Sequence, residues 1–482
     1  MSPIFVLLLI GSYLTVILLI SYFIGRKNSS DMAFYTGNRQ SPWWAVAIGM
    51  IGSSMSGVSL VSVPGMVQTV DFTYMQTVFG FFFGYLLVAY VLLPLYYRLQ
   101  LTSIYTYLDQ RFGRRTHITG AAFFLSAKMV GSAAKLYIVA LILQTMVFDV
   151  WGVPFGVTVC ATVLVIWGYT LRGGIKTLVW TDLLQTVVLL LVLVILLVQV
   201  FNCLELNIPQ LADTLLQSPN TRIFVFDDWH SKQHFFKQFI SGIFIVVAMT
   251  GLDQDMMQKN LTCPTLRSAQ KNMISYGAAF APVNFFFLLL GAMIMLLATQ
   301  NNIALPASPD SMLPLFASQY LGKTALVIFI IGITAAALNS ADSALTALTT
   351  SFIIDILKTP QKNTNTAKRT RIIVHTAICA AFALLILAFD AINNKSVIDA
   401  IYTIVSYTYG PLLGIYVFGL FTKQTANDKF VPYIAIASPI VCYVLNAITV
   451  HYFQYAIGYE LLMLNASLTF AGLIITGKSA MN

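Results

Sequence analysis

Apolar runs of 18 or more residues recur along this sequence from end to end, and each is long enough to cross a bilayer core of about 30 Å. Backbone groups inside hydrocarbon must be satisfied within the segment itself, so runs of this length fold as helices. The composition agrees: of 482 residues, 58% are hydrophobic and 9% charged, where a soluble domain carries about 25% charged residues. The expected fold class is an all-α polytopic membrane protein, a single domain over 1–482. Thirteen spans are expected, at 3–25, 42–69, 72–97, 116–147, 153–170, 177–204, 236–257, 273–299, 324–357, 372–390, 397–421, 430–450 and 457–476. The first reads as a retained span, because no basic stretch precedes it and no small-residue cleavage site comes before "GRKNSSD".

Basic residues orient the bundle. With the N-terminus outside and the C-terminus inside, twenty Lys and Arg side chains fall in cytoplasmic loops and five outside. Inside are Arg26, Lys27, Arg39, the group from Arg98 to Arg115, Arg172, Lys176, Lys259, Arg267, Lys271, the group from Lys358 to Arg371, Lys423, Lys429 and Lys478. Outside are Arg222, Lys232, Lys237, Lys323 and Lys395. This split obeys the positive-inside rule. It also places the net charge of +9 opposite anionic lipid, so the basic pI of 9.2 is no argument for nucleic acid. The five cysteines are unclustered and lack metal-ligand spacing. No Walker motif, HExxH or GxSxG occurs, so the chain does not read as an enzyme and any work is expected inside the bundle.

Polar residues within the spans locate that work. In "AAALNSADSALTALTT" (335–350), at 100° per residue, the strongly polar side chains Asn339, Ser340, Asp342, Ser343, Thr346, Thr349 and Thr350 occupy one half of the helix surface. The other half, Leu338, Ala341, Ala344, Leu345 and Leu348, is expected to meet lipid or apolar helices. An ionisable group costs at least about 2.5–3.5 kcal/mol at the bilayer centre, so such residues are functional candidates. A second carboxylate, Asp182, stands in "RGGIKTLVWTDLLQT" beside Thr181, Gln185 and Thr186; Asp253 is expected nearer a membrane end. Two aspartates with hydroxyl neighbours form an oxygen donor set that suits a hard monovalent cation such as Na⁺. Placed close together, the carboxylates need a cation between them or a shared proton. The second span, "SPWWAVAIGMIGSSMSGVSLVSVPGMV", concentrates Gly and Ser over 49–59 and reads as a helix broken at 52–57. "AMTGLDQD" is a matching weakness five spans later. Paired breaks of this kind point to an inverted-repeat transporter with its site at the midplane.

These segments, with "LTSIYTYLDQRFG", "GLDQDMMQKN" and "YGPLLGIYVFGLF", occur in an order that resembles the sodium:solute symporters over residues 42–421. The resemblance implies a LeuT-type fold: one helix over 3–25, inverted five-helix repeats over 42–204 and 236–421, and two further helices over 430–476. It implies a multi-pass protein of the cell (inner) membrane that moves Na⁺ with a small solute. A general Na⁺ site would use the carbonyls of Gly52, Met55 and Ala336 with the side chains of Asn339 and Ser340; Asn339 departs from the usual Ser. A second Na⁺ site would use Asp182, Asp342 and Ser343, giving two Na⁺ per cycle, or one if Asp342 carries a proton.

The substrate is expected beside the break, near Ser54, Ser56, Ser59, Gln76 and Thr250. Lys128 and Lys135 lie seven apart on one face of the fourth span. Lys135 is the candidate to hold a carboxylate, which makes the substrate an organic anion such as a sialic acid or monocarboxylate. The competing expectation is that Lys128 pairs with a carbonyl or carboxylate structurally and Lys135 snorkels outward. A neutral sugar or amino acid stays open as substrate, since aromatic platforms are plentiful. A channel or a transporter-like sensor is the rival class, but neither filter loops nor a signalling domain is evident.

Overall fold

The computed structural model describes residues 3–25, 31–358, 364–392 and 397–477. Arg26, Lys27, Lys362, Lys395 and Lys478, counted in the charge pattern, lie outside the described residues. The helices that matter here are α1 (Pro3–Gly25), α2 (Trp43–Ser54), α3 (Gly57–Val70), α4 (Tyr74–Leu87), α5 (Arg114–Leu143), α6 (Phe155–Leu204), α7 (Phe235–Val246) and α8 (Gln254–Asn260). They are followed by α9 (Leu266–Gln300), α10 (Gly322–Ser351), α11 (Thr364–Ile392), α12 (Val397–Phe421), α13 (Val431–Phe453) and α14 (Leu461–Thr476). Among the described residues, eight helices are long and apolar enough to cross a membrane, and ten spans result if each of two bent pairs is one. Three shorter apolar helices, Phe155–Leu171, Val405–Phe421 and Leu461–Thr476, accompany them.

Both expected breaks are bends. α2 and α3 meet at 61°, where Met55 takes φ −86°, ψ 81° and Ser56 takes ψ 172°. Met55 N–H closes the first half on the Ile51 carbonyl, and Ser59 and Leu60 N–H restart the ladder on the Ser56 carbonyl. The carbonyls of residues 52–55 fall where the helical ladder is interrupted. The helix begun by α7 runs to Gly251 and meets α8 at 71°. Asp253 starts α8 as its N-cap, accepting from the N–H groups of Asp255 (2.9 Å) and Met256 (3.4 Å). α6 is itself two helices joined at Gly174, whose φ of +56° and approach to Phe34 leave no room for a side chain.

α10 is the centre of the bundle. Of its membrane window 72% is buried, against 11% for the window in α1 and 17% for that in α13. It packs on α6, α5, α3, α2 and α8. Its polar and apolar halves are alike buried, so the apolar half contacts other helices and not lipid. α4 and α7 cross closely through small residues. A Cβ on Gly80 would lie 2.1 Å from the Phe239 carbonyl oxygen, and one on Gly242 would lie 2.3 Å from that of Thr77.

Candidate functional site

At the crossing of α2, α6 and α10, three helices far apart in sequence bring polar side chains together. Asp182 of α6 places Oδ2 3.3 Å from Ser343 Oγ of α10 and 3.4 Å from Ser53 Oγ of α2. Ser53 Oγ donates to Asn339 Oδ1 at 2.7 Å, and Asn339 Nδ2 donates to the Asp182 backbone carbonyl at 3.3 Å. Glycine at 52 makes this approach feasible. A Cβ there would lie 2.0 Å from Thr186 Oγ1 and 2.7 Å from Asn339 Nδ2.

The centre of this cluster is a residue read from the sequence as a loop cation. Lys259, 1% exposed, comes in on α8, and its ammonium lies 2.7 Å from Asp182 Oδ2 and 3.8 Å from Asp255 Oδ1. It also donates to Ser53 Oγ. Asp253, expected near a membrane end, is buried as well. It pairs with Lys128 of α5 at 3.1 Å and accepts from Tyr409 of α12 at 2.7 Å. Lys128 also contacts Asp255 at 2.8 Å. The groups Lys128, Asp255, Lys259 and Asp182 alternate in sign across three helices, α5, α8 and α6. Buried charges persist when each has a partner of this kind.

Asp342 does not join Asp182 in a hydrogen-bonded cage. Its carboxylate accepts from the Tyr169 hydroxyl at 2.8 Å and from the Ser343 backbone N–H at 2.6 Å. Ser340 Oγ is buried without a hydrogen-bond partner among the described residues, and it opens onto a cavity beside the first break. Ala336 is buried one turn before it. Asn339, turned toward Ser53 and Asp182, has its amide oxygen already engaged.

The cavity, about 110 Å³, is lined by Ser54, Ser59, Thr250, Lys128, Lys135 and Ser340, together with residues not anticipated, notably Tyr85, Tyr276 and Asn284. Ser54 Oγ and the Tyr276 hydroxyl are hydrogen-bonded, and Tyr85 donates to Tyr276 at 2.8 Å. Lys135 has no hydrogen bond or ion pair among the described residues. Two expected substrate residues are elsewhere. Gln76 is fully buried, donating to the Gln233 carbonyl at 2.8 Å and accepting from Val225 N–H at 3.1 Å, so it ties the 218–234 segment onto α4. Ser56 is the N-cap of α3, buried at the bend rather than lining the cavity.

Signals for Lys259 and Asp255 existed. Four apart, they form an i, i+4 pair on a helix that restarts after "TGLD". Tyr85 and Tyr276 left none, because a buried aromatic that lines a cavity and one that fills a core share the same pattern.

The model of the Sodium:solute symporter family matches residues 34–429. The sodium/sialic acid symporter NanT of Aliivibrio fischeri is 24% identical over 441 residues, which is 90% of this chain and 86% of that protein. The human sodium/iodide cotransporter is 25% identical over 422 residues, 82% of this chain and 62% of that longer protein. A solved substrate-bound, outward-open Na⁺-coupled sialic acid symporter superposes with a TM-score of 0.83 at 20% identity, covering 97% of this chain and 96% of its own. That likeness speaks for the fold, which is therefore the helical transporter fold of that symporter. With a family match over most of its length, the chain belongs to the sodium:solute symporter family, a multi-pass membrane protein for which Na⁺ is the coupling ion.

Proposed function

We propose that the chain imports a small organic anion with Na⁺ by alternating access, the anion's charge meeting Lys135 in the cavity beside the first break. Lys135 is the observation that carries this reading. Its neighbour Lys128 is neutralised by Asp253 and Asp255, whereas Lys135 lines the same cavity with no ion pair among the described residues. A lone ammonium at this depth is costly, and a bound carboxylate offsets the cost. The named cargoes of two relatives, sialic acid and iodide, are both anions. The hydroxyls of Ser54, Ser59, Thr250 and Tyr276 would bond the rest of the solute.

Na⁺ in this reading is cargo, held where α2 is interrupted. The donors would be the carbonyls of Gly52, Met55 and Ala336 and the Ser340 hydroxyl, whose buried and unpartnered oxygen suits a cation. Asn339 would have to release Ser53 to take part. The proposed topology is thirteen spans with the N-terminus outside, and inverted repeats over 42–204 and 236–421, supported by the two bent helices at corresponding places. Na⁺ then ties α2 to α10 and favours the outward-open state, solute binds, and the repeats rock. The coupling equals the difference in each ligand's affinity for the two states. Membrane potential contributes about 2.3 kcal/mol per 100 mV for each net charge that crosses with the solute.

The test is uptake of labelled anions and neutral sugars into proteoliposomes by wild type and Lys135→Gln. Na⁺-dependent uptake confined to anions and lost in the variant is expected. Neutral-sugar uptake indifferent to residue 135 would overturn the anion assignment.

A further inference from the structure

We infer that Lys259 is a built-in cation standing where a second Na⁺ would bind, so that each chain takes up one Na⁺ and not two. The inference rests on the Na⁺-coupled reading and adds the ion count to it. An oxygen cage for a second ion would need Asp182 Oδ2 and Ser343 Oγ, and these are 3.3 Å apart. The Lys259 ammonium is already 2.7 Å from that same Oδ2 and donates to the adjoining Ser53 hydroxyl. It carries the charge of Na⁺ and is almost fully enclosed. A free cation added against it would meet a like charge at short range in a low-dielectric interior. Asp342, the carboxylate that could have made the site doubly negative, is engaged by Tyr169 and the Ser343 N–H instead.

The tether changes the work this charge can do. Lys259 sits on α8, the short arm of the second bent helix, while Asp182 and Ser53 belong to α6 and α2. Asp255, one turn back on α8, is the alternative partner at 3.8 Å. An electrostatic clamp between the two halves can thus open and close with α8 without an ion leaving. It draws nothing from the sodium gradient. The accumulation ratio such a protein sustains follows the first power of the Na⁺ ratio, not its square.

Binding of radiolabelled Na⁺ to the purified full chain in detergent, read to saturation, tests this without knowledge of the solute. Wild type should bind one Na⁺ per chain. Lys259→Gln frees Asp182, Ser343 and Ser53 and should raise the count to two; the double change Asp182→Asn with Lys259→Gln removes cation and carboxylate together and should return it to one. Two sites in wild type, or a folded Lys259→Gln that still binds one, would overturn the inference. Should Lys259→Gln not fold, the wild-type and double-variant counts decide. No Na⁺ bound by wild type would instead overturn the Na⁺-coupled reading beneath it.

Discussion

Lys128 and Lys135 share one face of α5, yet their surroundings are opposite, and that contrast yields separable predictions. Lys128 holds two buried aspartates. Lys128→Met should therefore destabilise the protein by about 3–5 kcal/mol, the usual result of stranding a buried partner, visible as a lower unfolding temperature in detergent. Lys135 has no ion pair or hydrogen bond among the described residues. Lys135→Gln removes a costly lone charge, so it should hold or raise the unfolding temperature of the unloaded protein, and it should raise KM for the anion at least about tenfold, the loss of roughly 1.4 kcal/mol of attraction. Residue spacing made this pair legible before any coordinates. It could not say what Lys128 pairs with, because the partners Asp253 and Asp255 lie more than a hundred positions away. Lys259 was harder still. A lysine after "QDMMQ" looks like any cytoplasmic loop lysine, and only the bend at Asp253 turns α8 back into the bundle.

Helix breaks are written into sequence more plainly than buried charges. Gly and Ser crowd the 49–59 stretch, and the bend falls within it at Met55–Ser56. α8 escaped notice because its seven residues are too few to show an apolar period, and their polarity mimics a loop. Close crossings follow the same logic at the level of helix pairs. Gly80 and Gly242 face each other where α4 meets α7, each nearly touching the other helix's backbone. Gly242→Val should cost more than the usual 1–3 kcal/mol or so of an overfilled core, since a carbonyl cannot move aside as a side chain can. The check is the yield of folded protein and its unfolding temperature, with Gly11→Val, at a position open to its surroundings, as the neutral comparison.

For the whole molecule, apolar run length carried the all-helical, membrane-spanning architecture. Run length could not show that α10 is buried on every side, because a helix enclosed by others and one facing lipid are equally apolar. Orientation is checked on a cysteine-free background carrying single cysteines at two exposed positions, Asp228→Cys and Lys358→Cys. A membrane-impermeant thiol reagent should label residue 228 in intact cells and residue 358 only after permeabilisation. The account as a whole stands on solute movement being driven by sodium through the cavity beside the bent second span. Its most direct test is accumulation of a labelled organic anion in proteoliposomes under an inward Na⁺ gradient, against the same vesicles with choline outside. Uptake rising above the external concentration only with the Na⁺ gradient is the predicted result; equilibration to the same level under both conditions would contradict it.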